Sequence, residues 1–288
     1  MASITTIKNE REFYRDFGTL VNVLKTIAIS QFHALERKIQ TYDELNEFVE
    51  DFLSMMNLES VQHPFVRPRE DAPLGIIAVT SDRGLLGGLN HKVMTSAFGH
   101  IKDPHSNQLV IIGQQGKNFV HGLNIFFKAF VIGEDRNQYM TALKLRDYIF
   151  GEVLAGRMGA VKILYPFASS IQVQNVMEVD LLPCTYWIAG RESQWDPFGG
   201  DILLESYPQH LVEYLVYLSM TQKFFEIFQF ARLAEFAART IHLEESSEKI
   251  KDIDQGLKLK YFRARHESID QQMRELFAAR SLYAEQDG

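Results

Sequence analysis

Cysteine is almost absent from this sequence, and basic residues are outnumbered by acidic ones. Cys184 is the only cysteine among 288 residues, so an internal disulfide is impossible, which fits a reducing compartment. The formal net charge is −7 at pH 7, whereas a nucleic-acid-binding protein usually carries a basic surplus. These two shortages argue against a disulfide-stabilised secreted domain and against a nucleic-acid binder.

Long hydrophobic runs are also missing. The sequence contains no run of eighteen apolar residues, so we expect no direct transmembrane segment. Glu10, Glu12 and Asp16 argue against a transit peptide, and no short apolar core with a cleavage site indicates secretion. The hydrophobic residues, 46% of the chain, are enough for a sizeable core in one large domain or two small ones.

Proline and glycine are scarce at both ends of the chain. All eight prolines lie between Pro64 and Pro208, and fifteen of the eighteen glycines lie between Gly75 and Gly200. Proline breaks helices and glycine weakens them. This distribution predicts two long terminal helical segments around a turn-rich middle.

Apolar residues recur at steps of three and four in both terminal segments, which is the pattern of an amphipathic helix. In the N-terminal segment they are Phe17, Val21, Leu24, Ala28, Phe32, Leu35 and Ile39. In the C-terminal segment they are Leu211, Tyr214, Leu215, Leu218, Ile250, Ile253, Leu257, Tyr261 and Ala264. A helix from about residue 203 to 285 would be roughly 120 Å long and needs a partner along its length. We therefore predict a long antiparallel coiled coil of an N-terminal helix (1–63) and a C-terminal helix (203–288).

Short apolar runs alternate with helical stretches in the middle of the chain. The predicted strands are at residues 74–81, 109–113, 125–132, 160–166 and 171–182, and the predicted helices include 90–100 and 138–153. Such alternation is typical of a Rossmann-like α/β domain with a mostly parallel sheet. The predicted fold class is α/β, with this domain, residues 73–200, inserted between the two coiled-coil helices.

The segment SDRGLLGGLN, residues 81–90, follows the first predicted strand and opens a helix. An ordinary strand-to-helix loop explains it, with Asp82 or Asn90 capping a helix and the glycines making the turn. A phosphate-binding loop fits less well, because the glycines do not have the G-x-G-x-x-G spacing. The later GQQGKN stretch, residues 113–118, has too few residues between its glycines for a Walker loop and ends in Asn118 instead of Ser or Thr.

No catalytic residue, cofactor-binding site or metal site can be assigned from the sequence. It contains neither H-E-x-x-H nor G-x-S-x-G, and a single cysteine does not make a metal centre. Phenylalanines at helical spacing surround Arg232 and are typical of packing residues: Phe224, Phe225, Phe228, Phe230 and Phe236. An enzyme with a small α/β domain on a coiled-coil arm would therefore lack a nucleophile, an acid–base pair and a cofactor loop.

Several segments resemble, in order along the chain, those of the gamma subunit of F-type ATP synthases. Residues 81–90 resemble the family's S-D-R-G-L-C-G-G-L-N segment, which is long and specific. The other resemblances are Leu24–Ala28 to M-K-M-V-A, Ile112–Phe119 to I-G-x-K-G-x-x-F, Leu182-Pro183 to L-L-P, Ala231–Leu233 to A-R-M and Tyr261–Arg265 to Y-N-x-x-R. Together they span nearly the whole chain and agree with the predicted order of coil, α/β domain and coil.

The resemblance implies a rotor shaft that performs no catalysis itself. The terminal helices would form a shaft inside a ring of alternating alpha and beta subunits. The α/β domain would sit with an epsilon-type subunit on the membrane c-ring. Rotation would couple ion flow through that ring to ATP synthesis or hydrolysis in the alpha/beta ring. The chain would be peripheral on the inner face of an energy-transducing membrane, the cytoplasmic side in a bacterium, and would need no cofactor.

The resemblance also implies which residues contact a beta subunit. They are Ser81, Asp82, Arg83 and Gly84 in the loop, with Arg232, Arg263 and Arg265 on the coil facing the ring. Arginine suits such contacts, because it stays charged and binds carboxylates in a fixed fork.

The chain departs from the family in charge and in side-chain size. Leu86 stands where cysteine is common, and residues 1–63 hold six Lys or Arg against ten Asp or Glu where the family is basic. The positions before Ala231, usually acidic or small and polar, hold Lys223, Phe224, Ile227 and Phe228. The electrostatic contacts with the ring must then differ from those of the family. The alternative is a divergent gamma-like shaft of an ATPase ring that lacks a membrane motor.

The C-terminal coil is also longer than in familiar members of the family. The excess between Ala231 and Tyr261 is close to one heptad, which adds roughly 10 Å and rotates the apolar face by only about 20°. The predicted insertion is Glu244–Ile250, EESSEKI, which is mostly polar. We expect it to preserve the phase of the apolar stripe.

Overall fold

The computed structural model describes residues 4–39, 43–56, 58, 61–69, 71–101, 108–123, 125–133, 137–187 and 206–286. The helices are α1 (Ile4–Glu36), α2 (Asp43–Met55), α3 (Leu89–Gly99), α4 (Gln114–Val120), α5 (Gln138–Leu154) and α6 (Pro208–Gln286). The strands are β1 (Gly75–Val79), β2 (Gln108–Ile112), β3 (Phe127–Phe130), β4 (Val161–Ala168) and β5 (Gln174–Leu182). A short 3₁₀ turn, Cys184–Trp187, follows β5.

The chain divides into two compact units. The coil unit consists of residues 1–28 and 240–288, and the sheet unit of residues 29–239. Helices α1 and α6 each contribute to both units.

The coil unit is built on a heptad seam between α1 and α6. Buried and half-buried residues of α1 recur at alternating steps of three and four: Ile7, Arg11, Tyr14, Gly18, Val21, Lys25 and Ala28. On α6 the same spacing links Leu243, Ser247, Ile250, Asp254, Leu257, Tyr261 and Ala264. This 3.5-residue period is that of a coiled coil.

Polar side chains of the seam show that the pairing is antiparallel. Arg11 Nε lies 3.0 Å from Asp254 Oδ1, and Lys25 Nζ lies 2.5 Å from Glu244 Oε2. The later residue of α1 thus meets the earlier residue of α6, which confirms the predicted antiparallel coiled coil. Partly exposed ion pairs of this kind are each worth about 1 kcal/mol or less, so they define the register more than the stability.

Two predicted seam positions of α1 were wrong by one residue. Phe17 and Leu24 are 42% and 37% exposed, and Gly18 and Lys25 take their places in the seam. A Cβ on Gly18 would lie 3.2 Å from Ile250 Cγ2, so the missing side chain allows a close approach of the helices.

The error has a physical cause, because α1 carries a second apolar row at heptad spacing. This row is exposed and consists of Phe13, Phe17, Leu20, Leu24 and Ile27. On α6, Ile253 is likewise 40% exposed, and its neighbour Asp254 occupies the seam. Apolarity alone therefore does not identify the buried row.

The described residues of the sheet unit form a five-stranded sheet of order β3-β2-β1-β4-β5. Strands β1 to β4 are parallel to one another, with Gly75 opposite Gln108 on β2 and opposite Val161 on β4. Strand β5 returns antiparallel to β4. The predicted α/β class with a mostly parallel sheet is confirmed.

Helices cover both faces of this sheet. On one face, α3 and α4 contribute Val93, Met94, Ala97 and Val120, which pack on Ile76, Ala78, Leu109 and Ile111. On the other face, α2, α5 and α6 contribute Val49, Leu53, Leu145, Ile149, Val212, Phe224 and Phe228. The predicted packing role of the phenylalanine cluster is confirmed, since Phe224 and Phe228 are fully buried. Tyr214 and Leu218, predicted on the apolar stripe, are exposed instead.

The ends of the predicted segments differ from the observed elements. Among the described residues of 1–63 there are two helices, since α1 ends at Glu36 and α2 begins at Asp43. The predicted boundary at residues 200–203 lies outside the described residues, and the division into 1–63, 73–200 and 203–288 stays a prediction. Within the described ranges, no helix combines the length and apolarity needed to cross a membrane.

The proposed heptad insertion can be tested by two deletions that begin at the same residue. Deleting 244–250 brings Asp254 and Leu257 into the seam positions of Ser247 and Ile250, so the apolar phase is kept. Deleting 244–248 brings Asp252 and Gln255 there and turns the buried row by about 140°. We expect only the second variant to be destabilised, with a free energy of unfolding lower by roughly 3–6 kcal/mol, because two aliphatic side chains become exposed.

Circular dichroism melts compare the two variants. The longer deletion should keep a cooperative helical transition near that of the full chain. Equal destabilisation by both deletions would contradict a helical heptad insertion.

Candidate partner-contact site

The loop at residues 81–90, here the contact loop, begins at the carboxyl end of β1, where Thr80 joins that strand to the end of β2 and to α4. Thr80 Oγ1 donates a hydrogen bond to Ile112 O at 2.7 Å and accepts one from Gly116 N at 2.9 Å. A Cβ on Gly113 would lie 2.2 Å from Thr80 O, so glycine is required where α4 approaches β1. The stretch that resembles I-G-x-K-G thus supports the contact loop.

Ser81 and Asn90 close the contact loop from its two ends. Ser81 N–H donates to Asn90 Oδ1 at 3.0 Å, and Asn90 Nδ2 donates to Ser81 Oγ at 2.8 Å. The Ser81 hydroxyl donates to Arg83 O at 2.6 Å. Ser81 is only 1% exposed, so it holds the loop in shape from within.

Asp82 joins the contact loop to two neighbouring elements. Its Oδ1 accepts from Gln114 N at 3.1 Å, at the start of α4, and its Oδ2 accepts from Gly133 N at 3.1 Å. The sequence predicted that Asp82 or Asn90 caps a helix. Asp82 accepts from the first N–H of α4, whereas α3 begins after Gly88 without a side-chain cap.

The contact loop alternates between inward and outward side chains. Leu86 and Leu89 are buried and pack against Ala234 and Ala238 of α6. Leu85 adopts a left-handed backbone conformation with φ of 66° and is 54% exposed. Its neighbours Arg83 and Gly84 are exposed as well. The loop therefore presents a cation and an apolar side chain to solvent while its leucines anchor it on α6.

Beside this anchor, α6 carries three charged residues, here the α6 triad. Arg232 Nη1 lies 3.7 Å and Arg239 Nη2 lies 4.0 Å from Glu235 Oε2. Glu235 is 2% exposed, and burial raises its pKa to about 7, although both arginines oppose the rise. Burial also lowers the pKa of Arg239. From the contact loop, Asp82 raises the pKa of Glu235 and Arg83 lowers it.

The structure brings together five of the seven predicted contact residues. Ser81, Asp82, Arg83 and Gly84 lie in the contact loop, and Arg232 belongs to the α6 triad in the same unit. Arg263 and Arg265 belong to the coil unit, where both are exposed on α6.

Sequence reasoning missed the other two members of the α6 triad. Glu235 and Arg239 follow Arg232 at helical steps of three and four, within the otherwise apolar stretch ARLAEFAAR. A single carboxylate flanked by two arginines in an alanine-rich run was the available signal.

Other kinds of site find no support in the described part of the chain. No group of three or more His, Cys, Asp or Glu side chains there could hold a metal ion. Cys184 is buried, and burial raises the pKa of its thiol to about 12, so the reactive thiolate is suppressed.

Comparison with known proteins identifies the class. Residues 3–281 match the ATP synthase family, and the chain belongs to that family. It is 26% identical to the ATP synthase gamma chain of an Exiguobacterium species, over 98% of this chain and 99% of that one. It is 24% identical to the ATP synthase gamma chain of Mycoplasmopsis synoviae, over 96% and 98% of the two chains.

Solved structures support the fold. A chain of the Euglena gracilis mitochondrial ATP synthase, in a structure of OSCP, F1 and c-ring, matches with a TM-score of 0.67 at 14% identity, covering 96% of this chain and 93% of that one. A chain from the central stalk and c-ring structure of the Tetrahymena thermophila enzyme matches with a TM-score of 0.58 at 16% identity, covering 79% and 99%.

The structure separates the roles of two neighbours in the contact loop, and this gives a stability prediction. Asp82→Ala should lower the free energy of unfolding of the isolated chain by about 1–3 kcal/mol, because two backbone N–H groups lose their acceptor. Arg83→Ala should change it by about 0.5 kcal/mol or less, because the side chain is exposed. Urea titrations followed by circular dichroism measure both. A larger loss for Arg83→Ala would make Arg83 a structural residue.

Proposed function

We propose that the chain is the gamma-type, central-stalk subunit of a rotary ATP synthase. The observation that carries this proposal is the match to gamma chains over nearly the full length of both proteins. The coil unit acts as the shaft within a ring of alternating alpha and beta subunits. The sheet unit binds an epsilon-type subunit and the membrane c-ring. Ion flow through the c-ring is thereby coupled to ATP synthesis or hydrolysis in the alpha/beta ring.

In this role the contact loop touches a beta subunit through its exposed face. Arg83 supplies the charge, Gly84 leaves the approach open, and Leu85 adds exposed apolar area. Arg232 supports the same region from α6, and Arg263 and Arg265 offer further cations on the coil unit. A carboxylate on the partner is the group that such arginines bind best.

The subunit itself is proposed to be non-catalytic. The stretch at residues 113–118 is closed by the protein's own packing, since a Cβ would lie 2.2 Å from Thr80 O if added to Gly113 and 2.6 Å from Thr80 Oγ1 if added to Gly116. The start of α4, where a phosphate would find free N–H groups, already binds the Asp82 carboxylate. The chain is proposed to lie on the inner face of an energy-transducing membrane, the cytoplasmic side in a bacterium.

A second candidate is a divergent shaft of an ATPase ring without a membrane motor. It is favoured by the acidic N-terminal segment, in which ten Asp or Glu outnumber six Lys or Arg. Affinity purification of the native complex distinguishes the two: alpha, beta, epsilon-type and c-ring subunits support the first, and a ring without membrane subunits supports the second.

Nucleotide binding by the isolated chain is the simplest check on the non-catalytic role. We expect calorimetry with Mg-ATP to give no heat of binding in the micromolar range and a phosphate-release assay to give no turnover. Micromolar affinity that is lost on substitution within residues 81–90 or 113–118 would overturn the shaft-only role.

Arg83 provides the test of the contact loop in the assembled complex. Arg83→Ala should lower coupled ATP turnover by about tenfold, equivalent to roughly 1.4 kcal/mol, while the melting temperature of the isolated chain stays the same. Arg157→Ala is the matched control, since Arg157 is also exposed but precedes β4, at the amino ends of the parallel strands. Equal effects of the two substitutions on coupled ATP turnover would show that Arg83 takes no part in the proposed contact with a beta subunit.

A further inference from the structure

Glu235 is a buried acid in an unusual environment. Both arginines of the α6 triad lie beyond hydrogen-bonding distance from Oε2, at 3.7 and 4.0 Å. Among the described residues, none donates a hydrogen bond to Glu235 Oε2, and none accepts one from Arg232 Nε or Arg239 Nη2. Buried charges are normally both paired and hydrogen-bonded. Glu235 Oε2 thus has opposite charges nearby without the hydrogen bonds that would stabilise an ionised carboxylate.

The contact loop packs on α6 at residues on either side of Glu235. Leu86 and Leu89 pack on Ala234 and Ala238, which lie one residue before and three residues after Glu235 on α6. The charged groups that act on Glu235 from outside α6 are Asp82 and Arg83, both in the contact loop. Lifting the loop would therefore rehydrate the carboxyl and remove the two charges at once.

We propose that Glu235 is a positioning residue for the contact loop: its carboxyl group takes up a proton when the loop packs onto α6 and releases it when the loop lifts. The α6 triad then serves as a proton-dependent seat for the loop that carries Arg83. This inference rests on the proposed function only where it concerns coupled turnover, because the proton linkage is a property of the isolated chain.

The direction of the pH effect follows from the two states of the loop. With the loop seated, burial raises the pKa of Glu235 from 4.5 to about 7. With the loop lifted, water returns and the pKa falls back toward its ordinary value. Between these two values the seated form binds more protons than the lifted form. The opening constant therefore rises with pH, by at most about tenfold per unit, and levels off above about pH 7.

Amide hydrogen exchange on the isolated full chain tests the linkage. The reporters are the N–H groups of Leu89 and Gln114, whose acceptors are Leu86 O and Asp82 Oδ1. After correction for intrinsic rates, their protection should fall at least about fivefold between pH 5.5 and 7 and change little above pH 7.5. The N–H of Ile77, in the centre of the sheet, should not follow them.

Glu235→Gln should abolish this pH dependence. Glu245→Gln is the matched control, because Glu245 is an exposed acid on the same helix, and it should behave like the wild type. A pH dependence that survives Glu235→Gln, or that is absent from the wild type, overturns the inference.

A carboxyl ¹³C titration of the wild-type chain decides the matter even if Glu235→Gln does not fold. The expected midpoint for Glu235 is near 7, and a midpoint in the ordinary carboxyl range overturns the proposal. In the assembled complex, Glu235→Gln should also flatten the pH profile of coupled turnover relative to Glu245→Gln. An unchanged profile, together with the expected exchange result, would count against ring contact by the loop and leave the proton linkage intact.

Discussion

Helix α6 is packed in two different ways along its 79 residues, and both units depend on this difference. In the coil unit it buries a single stripe against α1, with the 3.5-residue period of a coiled coil. In the sheet unit it is buried on several sides, by the sheet, by α2, by the contact loop and by the end of α1. A helix gains little stability from its own hydrogen bonds, so each stretch needs its own partner surface.

In the contact loop, internal hydrogen bonds hold the backbone while one side chain stays available for binding. Ser81 and Asp82 direct their polar atoms inward, to Asn90, to the start of α4 and to Gly133. Arg83 follows directly and points to solvent. A charged side chain binds a partner better when its backbone is already fixed, because less conformational entropy is lost on binding.

The sequence was sufficient for the architecture and insufficient for the details of packing. The strands and their mostly parallel order follow from short apolar runs between glycines, since a parallel sheet is buried on both faces. The seam of the coiled coil could not be predicted from the sequence, because α1 carries an exposed apolar row beside the buried row. The buried row includes Gly18 and Lys25, which are not apolar side chains. The short helix α4 was not predicted, because glycine weakens a helix. The sequence does not show that Gly116 is needed there for a close approach to Thr80. In the partner-contact site, the family resemblance pointed to Arg83 and Arg232. It did not point to Glu235, whose importance comes from its burial, and no local sequence pattern shows burial.

Leu86, the alanines of α6 and the buried Glu235 belong to one packing arrangement. Leu86 is buried in the contact loop, and its side chain needs room on the facing helix. Ala234 and Ala238 supply that room, because their small side chains let the loop approach α6 closely. Glu235 lies between these two alanines in the sequence, and its burial weakens its ionised form. A substitution that fills the space at Ala238 would loosen the leucine anchor and, through the proposed linkage, lower the pKa of Glu235.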